Sequence, residues 1–362
     1  MGLPFIKKLT FRILISLFSI AIFLALSETV LRLAGISPKN ENLYFLLNPE
    51  LSYPRFFNRD HYLFWKFRPN QIIKSDFFVE GEYRISSFGL RNQEFSREKP
   101  DGMFRIICLG NSNTFGWKQA EKNAYPQQLQ ELFGPNPSGL KIEVINAGIT
   151  GYSSYQGKLF LKNYILKLKP DLVLVNYGWN DLLPAKYGIE DKNQKMPPQW
   201  ILDIQNILSK TTLYQILKSF WVGRFSKREE LKTGIPRISP QDSQANLLEL
   251  GQICNQNDVS AVFLTNPIAY LGPGKTSRVH PVNQAYNDVI SSLAQNQQFR
   301  VLDIAALFYN REDLYDHGRV DYIHYNSEGH RFIARAIYEY LVTNRIVPAY
   351  AKGENVSVDT RQ

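Results

Sequence analysis

Cysteine is nearly absent, with two residues in a chain of 362. Cys108 lies in an apolar run and Cys254 in a helical pattern. Neither has the spacing of a metal-ligand set, so both are expected as buried apolar fillers. So few cysteines leave the redox compartment open. The chain also lacks a basic block or stripe. Its formal net charge is +9, yet Lys and Arg are scattered apart from short clusters such as Lys7-Lys8 and Lys227-Arg228. That argues against a nucleic-acid partner and for a solvated basic surface suited to anionic headgroups or acidic polymers. No internal repeat is visible. What remains is a globular balance, 44% hydrophobic and 21% charged.

Only the N-terminus carries a long apolar run. Residues 13–26 are apolar except for Ser16 and Ser19, and Lys7, Lys8 and Arg12 precede them. Such a segment is a signal peptide or a membrane anchor. The run is short for a bilayer span, which needs about 20 residues. It extends to Leu33 only by carrying Glu28 and Arg32, which sit four apart and can pair on one face. Ala25-Leu-Ser27 resembles a cleavage site. A retained anchor over residues 1–36 is the expectation, with the basic end in the cytoplasm and the rest outside it.

Residues 37–100 are rich in aromatics, Asn and Pro and read as a membrane-proximal extension, with short strands over 62–69 and 82–91. From residue 101 a regular alternation begins. Apolar runs at 105–109, 142–145, 172–175, 261–265 and 301–304 read as buried strands. Helical patterns fall at 125–133, 153–168, 241–256, 281–295 and 329–343. Apolar strands alternating with helices predict an α/β fold: a doubly wound, flavodoxin-like, five-stranded parallel sheet of order 2-1-3-4-5, with helices on both faces. The domain is expected over 101–346. A helical insertion at 182–240 interrupts it, with helices at 200–209 and 213–225. Phe220, Trp221 and Phe225 are greasy for a connection. Core packing is expected of them, with a lid or a membrane-facing patch as the alternative. The tail, 347–362, is polar and expected to fray.

Sites in such a sheet form at the carboxyl ends of the strands, and four segments sit there. Gly110-Asn-Ser-Asn-Thr-Phe-Gly116 follows the first strand and places Ser112 near a helix start, where backbone N–H groups can hold an oxyanion. Taken alone, the serine could equally be a helix cap or a phosphate contact, as in flavin-binding versions of the sheet. Asn146-Ala-Gly-Ile-Thr-Gly-Tyr-Ser153 follows the second strand, with two glycines that permit close backbone approach. Tyr177-Gly-Trp-Asn-Asp181 follows the third, and Asn180 can point an amide N–H₂ into the site. Asp321-Tyr-Ile-His324 precedes the last helix. Its three-residue offset can set a carboxylate on one imidazole nitrogen and leave the other for a serine proton.

Together these segments resemble the SGNH/GDSL hydrolase superfamily over residues 104–341. The resemblance implies Ser112 as nucleophile, His324 as base and Asp321 as the acid that orients it. It implies Gly151 and Asn180 as oxyanion donors beside the Ser112 N–H. The N-terminal segment, with Leu26-Ser-Glu-Thr-Val-Leu-Arg-Leu33, is similar to membrane-anchored bacterial members. One position departs from the pattern: Asn111 stands where the family has a supporting Asp, which keeps hydrogen bonding and loses charge. The Gly-x-Ser-x-Gly elbow of α/β-hydrolases is absent, since Thr114 occupies the second glycine position. The implied chemistry is two-step acyl transfer to water, with no metal or organic cofactor. The implied partner is an ester substrate: an acylated envelope glycan, a lipid or a small ester. Transfer to a sugar hydroxyl would make the same site an O-acyltransferase. A degenerate glycan-binding module and a flavin-binding module are the rivals from other classes, and the Asp321–His324 pair argues against the last.

Overall fold

The computed structural model describes residues 3–36, 56–74, 82–134, 139–185, 188–225, 234–268, 280–295, 299–316, 321 and 323–348. Much of the expected extension (37–55 and 75–81) and nearly all of the expected tail (349–362) lie outside the described residues. The chain divides into two compact units: residues 1–65 with 196–230, and residues 66–195 with 231–362.

In the first unit, α1 (Leu3–Leu33) is a single helix. Its segment Ile6–Leu33 is long and apolar enough to cross a membrane, which a signal sequence would also be. The expected pair forms, with Arg32 Nε 2.6 Å from Glu28 Oε1. Strand β1 (Phe57–Asp60) runs into β2 (Phe64–Phe67), within which the first unit gives way to the second at residue 66. The second unit opens with the antiparallel pair β3 (Gln71–Lys74) and β4 (Glu82–Ile85).

The second unit is built on a five-stranded parallel sheet. Strand β5 (Met103–Gly110) leads into a one-turn helix, α2 (Ser112–Phe115), and then α3 (Tyr125–Phe133). Strand β6 (Lys141–Gly148) is followed by α4 (Ser154–Asn163), and β7 (Leu172–Asn176) comes next. Two helices of the first unit intervene, α5 (Gln199–Leu208) and α6 (Thr212–Phe225). The chain returns with α7 (Pro240–Gln256), β8 (Ser260–Leu264), α8 (His280–Gln295), β9 (Arg300–Leu302), the short α9 (Ile304–Leu307) and the closing α10 (Ser327–Thr343).

The order is β6-β5-β7-β8-β9, all parallel, which is the predicted 2-1-3-4-5 arrangement. Every residue of β7 is buried, as a strand covered on both faces requires. Alternate residues serve opposite faces. Ile106, Leu174 and Val262 join Leu129 of α3 and Ile337 and Leu341 of α10 in one apolar cluster. Both cysteines are buried and unbridged.

Three local readings differ from the structure. The helix predicted over 153–168 stops at Asn163. A 3-10 turn, Ile165–Leu168, follows and ends at Lys169 in the left-handed region, just before Pro170. The last strand is shorter than predicted, because Asp303 caps α9 by accepting the Ala306 N–H. Phe220 and Trp221 are not core residues: they are 66% and 65% exposed.

Candidate active site

Register puts the site together. Gly110 at the end of β5 pairs with Gly148 of β6 and with Asn176 of β7, so three chain segments leave the sheet side by side. Gly148 is needed for close approach, since a Cβ there would sit 2.2 Å from the Phe115 backbone nitrogen. With no side chain at 148, the one-turn helix behind Ser112 packs directly on β6.

That helix is held at both ends. Asn111 is its cap, and its Oδ1 accepts the Asn113 N–H at 2.9 Å. At the other end, the fully buried Arg91 donates to the carbonyls of Phe115, Gly116 and Gln119, at 2.5, 2.8 and 2.7 Å. Its guanidinium lies 4.1 Å from the Tyr83 ring centre and 4.7 Å from that of Phe115. Burial lowers its pKa to about 10, so it stays charged at neutral pH. The cation therefore faces carbonyl oxygens that a short helix would leave unsatisfied.

Ser112 Oγ is 2.9 Å from His324 Nε2. His324 Nδ1 is 2.9 Å from Asp321 Oδ2. Asp321 Oδ1 also accepts the His324 backbone N–H at 3.2 Å, and Lys118 Nζ stands 3.2 Å from Oδ2. Burial works against the charge of Asp321, but the bonds from His324 and Lys118 outweigh it and hold the carboxyl well below the usual range. An ionised Asp321 accepts a hydrogen bond from Nδ1–H, which keeps the proton on Nδ1 and leaves Nε2 as an acceptor for the serine hydroxyl. His330 is the other histidine nearby in sequence. It is fully buried, with Nδ1 accepting the Tyr125 N–H, and burial first and then Arg91 and His324 press its pKa down to about 3. It is a neutral core residue.

The other expected positions follow the two strands that flank β5, Gly151 after β6 and Asn180 after β7. Gly151 has φ +79°, a left-handed conformation that suits glycine. Its carbonyl accepts from Arg237 Nη1 at 2.6 Å. Asn180 is buried and donates from Nδ2 to the Tyr152 carbonyl at 3.0 Å. An amide nitrogen carries two hydrogens, so this bond leaves one to offer elsewhere. Beside it, Asp181 accepts the Ser154 N–H and the Ser243 hydroxyl, and burial raises its pKa to about 6. The Ser112–His324 contact can pass a serine proton to an imidazole.

The sequence model of the GDSL-like Lipase/Acylhydrolase family matches residues 108–332. The chain belongs to this family. It is an ester-hydrolysing enzyme of the GDSL type. Similar solved structures include the acetyl xylan esterase AlAXEase, 16% identical, covering 66% of this chain and 100% of that one at a TM-score of 0.44. The lipase/acylhydrolase from Enterococcus faecalis is 15% identical, covering 66% and 95% at 0.43. The psychrotrophic esterase EstA from Pseudoalteromonas sp. is 13% identical, covering 66% and 97% at 0.42. No curated protein matches the chain.

Several residues that build this GDSL site were not singled out in the sequence. Arg91, Lys118 and Arg237 are the main ones, and each acts across a long separation. Arg237 pairs with Asp191 at 2.7 Å, both buried, and also donates to Gln156 Oε1. Asp191 in turn accepts the hydroxyl of Ser153, the cap of α4. Replacing Arg237 strands that carboxylate. Arg237→Met is expected to cost about 3–5 kcal/mol in urea unfolding, because it leaves a buried charge without its partner. The double variant with Asp191→Asn should recover part of the loss. Equal destabilisation by both would show that the charge pair is not what matters.

On the same carboxyl edge lies a cleft of about 300 Å³, lined by Asn266, Asn283, Gln284, Asn287, Asp303 and Tyr309 among others. Asn283 is buried, yet its Oδ1 has no hydrogen-bond partner among the described residues. Asn266 Nδ2 donates to the Tyr177 carbonyl at 2.7 Å, which ties this wall to the segment that carries Asn180.

Proposed function

We propose that the protein is a serine esterase in which Ser112, His324 and Asp321 form the triad. The observation that carries this reading is the continuous hydrogen-bonded chain from Asp321 through His324 to the Ser112 hydroxyl. His324 takes the serine proton as Oγ attacks the ester carbonyl. The Ser112 and Gly151 N–H groups and the Asn180 amide hold the oxyanion. His324 returns the proton to the leaving alcohol, and an acyl-serine remains. Water, deprotonated by His324, attacks the acyl group, and His324 returns that proton to Ser112 Oγ as the acid leaves.

The substrate we favour is the acyl ester of a sugar. A cleft rich in side-chain amides, with the unpartnered Asn283 acceptor and the exposed Tyr309 ring, suits hydroxyl groups and a sugar face better than a long acyl chain. The test is a panel of p-nitrophenyl esters of increasing chain length, with and without a polysaccharide acceptor. Rates should peak at acetyl. A preference for long chains would contradict the sugar-ester reading, and acyl transfer to the acceptor would turn the hydrolase into an O-acyltransferase.

Asn111 belongs to the same test. Its Nδ2 is buried without a partner among the described residues, while its Oδ1 already does the capping. Asn111→Asp keeps the cap, removes the unpartnered donor and adds a buried charge. These effects oppose one another, so kcat/KM should change by less than about tenfold. If the wild type were inactive and Asn111→Asp active, the natural protein would be a binding module.

The reading places the hydrolase domain outside the cytoplasm behind a retained α1 anchor. The support is the basic flank of α1, with Lys7, Lys8 and Arg12 ahead of its apolar stretch. A reporter active only outside the cytoplasm, fused after Gln362, should be active. A working cytoplasm-only reporter at that position would reverse the orientation.

A further inference from the structure

Within the first unit, two consecutive helices expose large apolar side chains on one face each. On α5 these are Trp200, Ile204, Ile207 and Leu208, and on α6 they are Leu217, Phe220 and Trp221, between 44% and 66% exposed. On a helix, positions spaced three and four apart share a face. The opposite face of α5 is occupied: Asn206 clamps the Arg59 backbone of β1, accepting its N–H at 2.7 Å and donating to its carbonyl at 2.9 Å. The exposed face of α5 is therefore directed by packing and is not the result of a loose helix.

Their position along α1 says what covers them. Glu28 of α1 accepts the backbone N–H groups of Thr212 and Leu213, both at 2.9 Å, and so caps the start of α6. Arg32, a turn later, reaches the Lys210 carbonyl in the turn between α5 and α6. From Lys8 to Glu28 is about 20 residue steps, or about 30 Å of helix, which matches the hydrocarbon thickness of a bilayer. With Lys8 at one interface, Glu28 lies at the other, and the α5–α6 turn is pinned at that level.

We propose that α5 and α6 together form a membrane-interfacial element. Its Trp200/Ile204/Ile207 and Leu217/Phe220/Trp221 faces sink into the boundary between headgroups and acyl chains of the bilayer that α1 spans. Trp suits that boundary, because its ring is apolar and its N–H can stay wet. The proposal rests on α1 being a retained anchor.

Tryptophan quenching in brominated lipid tests it, because α1 contains no Trp. The other three differ from Trp200 and Trp221: Trp65 and Trp179 are buried and Trp117 half-buried. The full chain is reconstituted in phosphatidylcholine nanodiscs with bromines at carbons 6 and 7 or at 11 and 12. Quenching should be stronger with the shallow label. Trp200→Tyr and Trp221→Tyr should each remove part of it, and together more than half. Quenching that is absent, or unchanged in the double variant, overturns the proposal and means that another surface, such as a second copy of the chain, covers this face. An alkaline carbonate wash of cell membranes separates the two claims. A chain that resists the wash but shows no quenching keeps its anchor and loses the interfacial element. A chain released by the wash loses both.

Discussion

Ser112→Ala should lower esterase turnover by at least about 10³-fold while leaving the fold intact. The substitution removes one oxygen at a position that is 9% exposed, and the cap at Asn111 and the Arg91 clamp on the far end of the helix do not depend on it. Its melting temperature should therefore stay close to wild type. Residual activity above the uncatalysed rate is expected, because the amide donors would still bind the substrate and polarise its carbonyl. His324→Ala should give a similar loss. The double variant should be little worse than either alone, because residues that act as one unit do not add. Additive losses would mean that the two act in separate steps and not as a couple.

Asn180→Ala has the second largest expected effect, a fall in kcat of about 10²–10³-fold with KM little changed. An oxyanion donor acts on charge that develops in the transition state, so it lowers the barrier more than it tightens ground-state binding. Asn180 is also bonded to the Tyr152 carbonyl, next to Gly151, so part of the loss can come from that loop. Asn180→Asp separates the contributions. It removes the donor, keeps the size and puts a negative charge where the oxyanion would form, so it should be at least as damaging as alanine. A normal kcat with a raised KM in Asn180→Ala would assign Asn180 to substrate binding.

What the sequence displays is local. The strands announce themselves as short apolar runs, and a parallel sheet makes their carboxyl ends the place to look. Ser112, Gly151, Asn180 and the Asp321–His324 couple all lie next to such ends or just before the last helix, within motifs a few residues long. The alternation of strands and helices points to a doubly wound sheet, and five strands suggest its flavodoxin-like order. The supports were not legible, because their partners are remote in sequence. Arg91 reaches carbonyls 24 to 28 residues away, and Arg237 reaches Gly151 across 86. In the sequence both are ordinary arginines, and only the fold shows that they are buried. Lys118 is similar, since nothing in the sequence places it beside Asp321, 203 residues on. Phe220 and Trp221 failed for a different reason. Helical spacing gives the face on which apolar residues lie but not what that face meets, so a core face and an uncovered one read alike.

The central claim is that Ser112 is the nucleophile of this site, and its most direct measurement is covalent. The purified protein is treated with a fluorophosphonate, digested, and analysed by mass spectrometry. The account predicts one adduct, on the peptide containing Ser112, formed in step with loss of p-nitrophenyl acetate hydrolysis and absent from Ser112→Ala. An adduct on another residue accompanying the loss of activity, or hydrolysis that persists at the wild-type rate in Ser112→Ala, would contradict it.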